Sequence, residues 1–167
     1  METPRLLLRP FTVADAPAMH AIYSDPEVMR FVGNGPVASL PATEKMLRDY
    51  ADHQSRRGFS FWAVAERATG ALVGDAGLYE GSGAEVELGY TLARAAWGRG
   101  YATEAARAWL EAAFRVHGLD EVVALVEPAN TGSIRVVEKL RMARAGMRIA
   151  YGRQHLAYRA RADDRPA

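Results

Sequence analysis

The sequence predicts an α/β (α+β) fold in which helices flank a mixed, mostly antiparallel central sheet. Three strand-like segments, at residues 59–66, 71–80 and 84–92, follow one another with short turns between them, which is typical of antiparallel strands. A helical segment over about 101–117 then leads into a strand-like segment at 121–128, so one strand-helix-strand unit joins the same sheet.

Length and composition indicate one soluble domain. The chain has 167 residues, of which 49% are hydrophobic and 25% charged, the proportions of an ordinary globular protein. We expect one domain over residues 1–162 and a short polar C-terminal tail over 163–167. The formal net charge of +1 gives no overall field that attracts nucleic acid or an anionic membrane.

The chain contains no cysteine, which excludes disulfides, thiolate metal sites and a cysteine nucleophile. The apolar run in METPRLLLRP is too short for a secretory signal, and no run of 18 apolar residues suggests a membrane span. We therefore expect a cytoplasmic monomer or homodimer that needs no metal and binds neither membrane nor nucleic acid directly.

The N-terminal part predicts a strand followed by two helical pieces. Residues 5–9 are rich in leucine and predict a short strand, which Pro10 ends. Thr12 and Asp15 suit the capping positions of a helix that reaches about Tyr23. Asp25-Pro26 suits the start of a second helical piece, because proline is favoured in the first turn.

A turn-rich stretch separates these helices from the next one. Residues 33–41, GNGPVASLP, predict a flexible connection, and a longer helix is expected over 42–57. The strands that follow are joined by turns at Ala68-Thr69-Gly70 and Gly81-Ser82-Gly83. After the strand-helix-strand unit, a helix over 130–140 and strands near 142–150 and 154–161 complete the sheet.

The stretch WGRGYATEA at residues 97–105 combines two glycines with the start of the 101–117 helix. A helix N-terminus offers about four backbone N–H groups without intrahelical partners and a partial positive charge. Glycine at 98 and 100 lets an anion such as a phosphate approach those amides. The alternative is a turn that only connects a strand to a helix.

The residues around this turn discriminate between phosphate ligands. A triphosphate-binding loop needs lysine and then serine or threonine after its last glycine, whereas Gly100 is followed by Tyr101. A dinucleotide fingerprint fits Gly98, Gly100 and an acid at Glu127, but Thr103 stands where its third glycine belongs. A nicotinamide-dependent oxidoreductase therefore stays open as a minor alternative.

Four segments in the same order resemble the GNAT superfamily of N-acetyltransferases, and more closely its ribosomal-protein N-terminal acetyltransferase-like (RimJ/RimL-type) branch. The segments cover most of the chain; they are TPRLLLRPFTVAD at 3–15, SDPEVMRFV at 24–32, ELGYTLARAAWGRGYATEA at 87–105 and EPANTGSIRVVEKL at 127–140. The resemblance implies the GNAT fold, in which the central sheet splays apart at the acetyl-coenzyme A (acetyl-CoA) site.

The resemblance also assigns residues to acetyl-CoA. Backbone amides of the turn hold the pyrophosphate, the strand at 86–90 offers backbone groups to the pantetheine arm, and the asparagine at 130 contacts that arm. Trp97 replaces the family's usual Gln or Arg, and Arg141 replaces a usual glycine. The residues expected to bind acetyl-CoA are Leu88, Gly89, Tyr90, Arg94, Trp97, Gly98, Arg99, Gly100, Tyr101, Ala102, Thr103, Asn130 and Ser133.

Basic side chains near the turn are candidate partners of the phosphates. Arg94 and Arg99 flank the turn, and we favour them because they are close to it in sequence. Arg135 and Lys139 share one face of the later helix, four residues apart, and are further candidates. Solvated basic faces are the alternative for all four.

The catalytic candidates are Glu87, Ser133 and Glu85. Glu85 and Glu87 are two residues apart in a strand, so their side chains lie on one face, where either carboxylate could accept the proton of an attacking amine. Many relatives have a tyrosine on the 130–140 helix that protonates the thiolate; since this helix has none, Ser133 is the candidate. A solvated strand face and a helix cap are the structural alternatives.

The function predicted is direct transfer of an acetyl group from acetyl-CoA to a primary amine, without a covalent enzyme intermediate. Either a protein N-terminal amine or a small-molecule amine is possible as acceptor. Tyr151 and His155 are candidates for the acceptor pocket, and His20, Tyr23 and Arg30 belong to the region that shapes acceptor specificity in the family. A non-catalytic acyl-CoA-binding sensor with the same fold is the main alternative.

Overall fold

The computed structural model describes residues 1–81 and 85–164, and these residues form one seven-stranded sheet in the order β1-β2-β3-β4-β5-β7-β6. β4 and β5 run parallel, and every other neighbouring pair is antiparallel. The predicted mixed, mostly antiparallel sheet is thus confirmed. The strands are β1 Leu6–Arg9, β2 Phe61–Glu66, β3 Leu72–Glu80, β4 Val86–Leu92, β5 Glu121–Val126, β6 Ala143–Ala150 and β7 Arg153–Arg161.

Helices cover both faces of this sheet, and short 3-10 turns precede α1, precede α4 and follow β7. The helices are α1 Ala16–Tyr23, α2 Pro26–Met29, α3 Leu40–Arg57, α4 Tyr101–Arg115 and α5 Thr131–Lys139. One apolar cluster joins the sheet to α4 and α5, and a second one joins α1, α2 and α3. The sheet is therefore the middle layer of the domain.

Alternation along β3 and β4 decides what each face of the sheet carries. Leu78 and Leu88 are cross-strand partners and belong to the core on the α4 side. Their neighbours Tyr79 and Glu87 are also partners and point to the opposite face. On the core side, Trp109 of α4 is almost fully buried. Its packing fixes α4, and with it the turn from which α4 starts, against the sheet.

Several predicted boundaries shift by a few residues. α3 begins at Leu40 rather than 42, because Ser39 caps it and Pro41 fits the first turn. The first helix begins with a 3-10 turn at Val13–Asp15, in which Asp15 accepts a hydrogen bond of 2.7 Å from the Thr12 amide. Ser82 and Gly83, part of a predicted turn, lie outside the described residues.

The sheet also decides against the oxidoreductase alternative. A dinucleotide-binding fold is built from several parallel strands joined by helices. Among the described strands, β4 and β5 form the one parallel pair, and the first four strands form an antiparallel meander. The alternative based on Gly98, Gly100 and Glu127 is therefore wrong.

Two further properties concern the described residues as a whole. Within 1–81 and 85–164, no helix combines the length and apolar character that a membrane span requires. In the same ranges, no group of three or more histidine or acidic side chains is close enough together to hold a metal ion.

Candidate functional site

Two cavities lie beside β4 at the place where it leaves β5. The first, about 750 Å³, lies between the glycine turn and α5, and we call it the turn cavity. The second, about 620 Å³, lies between β4 and the β6–β7 hairpin, and we call it the hairpin cavity. Six residues line both cavities and so mark their junction: Phe31, Val32, Tyr90, Thr91, Asn130 and Ser133.

The junction exists because β4 and β5 separate. Their parallel pairing consists of one register pair, Glu87 with Val123, and the later residues of β5 pair with β7 instead. The phenol of Tyr90 reaches from β4 across to α5, where its hydroxyl donates a hydrogen bond of 3.3 Å to the Ser133 carbonyl. The predicted splay at 86–90 is thus present, and it connects the two cavities.

The glycine turn needs glycine for its backbone conformation. Gly98 and Gly100 have φ of 73° and 79°, and Gly100 is the N-cap residue of α4, a left-handed region that other residues enter at a cost. A Cβ at Gly98 would meet open space. Gly98, Gly100 and the first turn of α4 line the turn cavity, so the α4 N-terminus faces it as an anion site requires.

Residues that precede β1 hold this turn in place. Arg5 donates from Nη1 to the Arg99 carbonyl at 2.8 Å and from Nε to Glu104 of α4 at 2.7 Å. The Thr3 hydroxyl donates to the same Glu104 carboxylate at 2.6 Å. Glu104 therefore connects the chain start to the first turn of α4, a connection that the sequence did not reveal.

The basic residues favoured from sequence have other partners. Arg99 pairs with Glu66 at 2.6 Å and stacks over the Tyr101 ring, 4.6 Å from its centroid. Arg94 pairs with Asp25 at 2.9 Å. Neither residue lines the turn cavity, because acids on other elements bind them. Three other basic residues do line it: Arg30, Arg135 and Lys139.

Trp97 keeps the turn close to β4. Its indole Nε1 donates a hydrogen bond of 2.7 Å to the Leu92 carbonyl, while about half of the side chain stays exposed. The residue lines the turn cavity together with Ala102 and Thr103. Trp97 thus fixes the turn with a side-chain bond in addition to the backbone geometry.

The strand residues assigned to the pantetheine arm line the hairpin cavity. Leu88 is buried towards α4, whereas Gly89 lies under the ring of Phe61. A Cβ at Gly89 would come within 2.8 Å of Phe61 Cε1. A larger residue at position 89 would therefore displace the Phe61 ring, which favours glycine there.

Asn130 and Ser133 form the end of α5 that meets the junction. Asn130 is the N-cap, and its Oδ1 accepts a hydrogen bond of 3.1 Å from the Ser133 amide. Asn130 therefore caps α5. Both residues line both cavities, so the cap also places two polar side chains at the junction.

Glu87 and Glu85 have different surroundings in the structure. Glu87 lines the hairpin cavity and accepts a hydrogen bond of 2.8 Å from the Tyr151 hydroxyl. Burial raises the pKa of Glu87, the Tyr151 hydrogen bond opposes this, and the neighbouring Glu85 raises it further. Glu85 pairs with Arg148 and does not line the cavity. Glu87 is thus the better candidate base.

Two groups from other parts of the chain position Glu87. A Cβ at Gly81 would fall 1.8 Å from Glu87 Oε1, so the glycine makes room for the carboxylate. Tyr151, whose φ is 51°, lies in the β6–β7 turn and lines the cavity together with His155. His155 is buried, and its Nδ1–H donates a hydrogen bond of 3.1 Å to the Arg153 carbonyl.

Asp75 is a site residue that the sequence analysis missed. It is buried on β3, opposite Thr91, and accepts a hydrogen bond of 2.7 Å from the Tyr23 hydroxyl. Burial raises its pKa to about 7, although hydrogen bonds from Tyr23 and Thr91 lower it. Asp75 and Tyr23 both line the hairpin cavity. The signal was a lone acid within the apolar strand LVGDAGLYE.

Comparison with known proteins agrees with this geometry. Residues 5–143 match the family model described as an acetyltransferase (GNAT) domain. The uncharacterized N-acetyltransferase p20 of Bacillus licheniformis is 28% identical over 147 residues, which cover 87% of this chain and 83% of that protein.

Solved structures show the same fold. The GNAT-family acetyltransferase from Bacillus anthracis superimposes with a TM-score of 0.86 at 27% identity, covering 98% of this chain and 99% of that one. RimJ of Mycobacterium smegmatis, in complex with CoA-disulfide, superimposes with a TM-score of 0.82 at 21% identity, covering 97% and 84%. The second likeness concerns the fold alone.

Proposed function

Since this chain belongs to the GNAT family of acetyltransferases, we propose that it transfers the acetyl group of acetyl-CoA directly to a primary amine. The observation that carries the proposal is the junction of the two cavities at Tyr90, Asn130 and Ser133. Two substrates bound in the two cavities would meet there, so that the transfer needs no covalent enzyme intermediate.

The turn cavity is the proposed site of acetyl-CoA. Its pyrophosphate would lie against the amides of Gly98, Gly100 and the first turn of α4, where the helix dipole favours negative charge. The pantetheine arm would enter the gap between β4 and β5 at Tyr90 and end at the junction, where Leu88 and Gly89 continue into the hairpin cavity. Arg30, Arg135 and Lys139 line this cavity and are the proposed partners of the phosphates, in place of Arg94 and Arg99.

The hairpin cavity is the proposed site of the amine. An amine attacks only in its neutral form, so a group beside it has to accept a proton. Glu87 lines this cavity, and its raised pKa brings it closer to the working range of a base at neutral pH. We propose that Glu87 takes this proton directly or through a water molecule.

The acceptor is a primary amine of either a protein N-terminus or a small molecule. Tyr23, Tyr50, Phe61 and Tyr79 give the hairpin cavity an aromatic wall, and Glu87 and Asp75 give it acidic groups. Aromatic faces and carboxylates both attract an ammonium group. The cavity is thus suited to capture an acceptor in its charged form before deprotonation.

A thiol-release assay tests the proposal. Purified protein and acetyl-CoA are incubated with N-terminal peptides, polyamines, aminoglycosides and amino acid analogues, and free CoA thiol is measured. We expect turnover with at least one class, and a loss of about 100-fold in kcat for Glu87→Gln. Binding of acetyl-CoA without thiol release in any class would identify a sensor, and no binding at millimolar concentration would reject the CoA site.

A further inference from the structure

The junction limits where the reacting atoms can be. If acetyl-CoA occupies the turn cavity and the amine occupies the hairpin cavity, the thioester has to lie where both cavities are open. That place is lined by the six residues common to both. Within the part of the chain that the structure describes, the group that accepts or protonates the departing sulfur is therefore sought among these six.

Among these six residues, three carry a hydroxyl: Tyr90, Thr91 and Ser133. Thr91 is opposite Asp75 in the β3–β4 pair and bonds to that carboxylate. It faces away from Tyr90, because neighbouring residues of a strand alternate between faces. Two hydroxyls are thus left as proton donors to the sulfur, those of Tyr90 and Ser133.

The phenol of Tyr90 is the better placed of the two. Its hydroxyl spans the gap between β4 and α5 and makes a hydrogen bond of 3.3 Å, near the long limit for such a bond, to the Ser133 carbonyl. Because this hydrogen bond is weak, the Tyr90 hydroxyl loses little free energy when it donates to a sulfur atom and no longer to the Ser133 carbonyl. The ring packs against the core beneath α4, which fixes the position of the hydroxyl.

The chemistry of the two hydroxyls also favours Tyr90. A phenol is a far stronger acid than the alcohol of serine. Burial raises the pKa of Tyr90 to about 12, so the hydroxyl stays protonated at neutral pH and can donate a hydrogen bond, although the same burial makes it a weaker acid than an exposed phenol. A hydrogen-bond donor held in a half-buried site stabilises negative charge that develops in the transition state.

We propose that Tyr90 is the catalytic residue that donates its hydroxyl proton to the sulfur of CoA as the thioester breaks, in place of Ser133. The inference rests on the proposed function. The amine nitrogen forms a bond to the carbonyl carbon, the C–S bond breaks with its electron pair on sulfur, and sulfur takes the Tyr90 proton. Glu87 or water takes the proton of the amine, and solvent restores the phenol.

Two variants separate the candidates. Tyr90→Phe keeps the packed ring and removes the hydroxyl, and Ser133→Ala removes the other hydroxyl but keeps the carbonyl that Tyr90 contacts. We expect Tyr90→Phe to lower kcat by about 100-fold or more, with the Kd of acetyl-CoA changed less than about threefold. Ser133→Ala, which also changes the junction, should lower kcat at least 10-fold less than Tyr90→Phe does. The reverse order of losses would overturn the inference.

A second measurement needs no acceptor. CoA is titrated with pH while bound to wild type, Tyr90→Phe or Ser133→Ala, and the thiolate is followed by its ultraviolet absorbance. We expect wild type and Ser133→Ala to lower the pKa of the bound thiol relative to Tyr90→Phe. Equal values in wild type and Tyr90→Phe would overturn the role of Tyr90 alone, whereas failure of CoA to bind would overturn the proposed function and this inference together.

Discussion

Arg5 Nη1 donates a hydrogen bond of 2.8 Å to the backbone carbonyl of Arg99, so the residue before β1 holds the turn before α4. The two residues are 94 positions apart in the chain. The same guanidinium binds Glu104 in the first turn of α4. The conformation of the proposed pyrophosphate site is thus fixed partly from the far edge of the sheet.

Removing this contact should weaken CoA binding. Arg5→Met loses the hydrogen bonds to the Arg99 carbonyl and to Glu104, and charged hydrogen bonds contribute on the order of 1.5–3 kcal/mol each when well formed. Since half of the Arg5 side chain is exposed, we expect the Kd of CoA to rise about 10-fold in isothermal titration calorimetry. The KM of the amine should stay the same.

Arg107→Met is the matched control for this variant, because Arg107 is exposed on α4. It should leave the Kd of CoA within about twofold of wild type, as isolated surface substitutions do. Equal effects of the two variants would show that loss of positive charge, and not release of the turn, weakens binding.

Gly81→Ala should impair catalysis more than folding. The new Cβ would collide with the Glu87 carboxylate and approach the Tyr151 hydroxyl, and both are ends of side chains that can move. The carboxylate would leave its position in the hairpin cavity. We expect kcat/KM for the amine to fall at least 10-fold while the midpoint of urea unfolding changes little. A large fall in that midpoint with normal kcat/KM would contradict the proposed position of Glu87.

Asp75 should make the protein less stable as pH rises. Its pKa is about 7 in the folded state against an ordinary value of 3.8, so between these pH values the folded state binds more protons than the unfolded one. Its contribution to the free energy of unfolding is fully present below about pH 4 and is lost as pH rises through about 7. Urea unfolding from pH 4.5 to 8 measures it.

Asp75→Asn isolates this contribution, because its amide oxygen still accepts the Tyr23 hydrogen bond but does not titrate. The stability of wild type relative to Asp75→Asn should decline steadily over that pH range. Other acids, such as Asp15 with its lowered pKa, act in the opposite direction but equally in both proteins. Parallel curves for the two proteins would show that Asp75 does not titrate in this range.

Arg141→Gly should stabilise the protein. Arg141 follows the end of α5 with φ of 57°, and a left-handed residue with a Cβ costs roughly 1–2 kcal/mol. Glycine removes this cost but adds entropy to the unfolded chain. We therefore expect a gain of about 0.5–1 kcal/mol in the free energy of urea unfolding. Arg144→Gly, within β6, should instead lose about 0.5–1 kcal/mol.

Local patterns explain which parts of the fold were predictable. The glycine turn and α4 follow from Gly98, Gly100 and the alanines that come after them, and the β2–β3 hairpin follows from alternation and a short turn. These signals lie within a few residues of one another. Glu85 precedes β4 (Val86–Leu92), so the strand alternation that was expected to place it beside Glu87 does not extend to it.

Partners from distant parts of the chain explain the rest. The sequence could not separate Glu87 from Glu85, because Arg148, which binds Glu85, is 63 positions away. Arg99 lies next to the turn in sequence, but it pairs with Glu66, which is 33 positions earlier in the chain. Asp75 belongs to the site because Tyr23 of α1, which is distant in sequence, donates a hydrogen bond to its carboxylate. Each of these assignments depends on tertiary contacts between different elements.

Because β4 and β5 share a single register pair, the sheet consists of two ribbons of strands that are joined at one point. One ribbon consists of β1 to β4 and the other of β5 to β7. A pantetheine arm that lies in the gap would supply hydrogen bonds where a strand is missing, so the ligand would act as a structural member. CoA should then slow hydrogen exchange at the β4 amides that point towards β5 more than anywhere in β2.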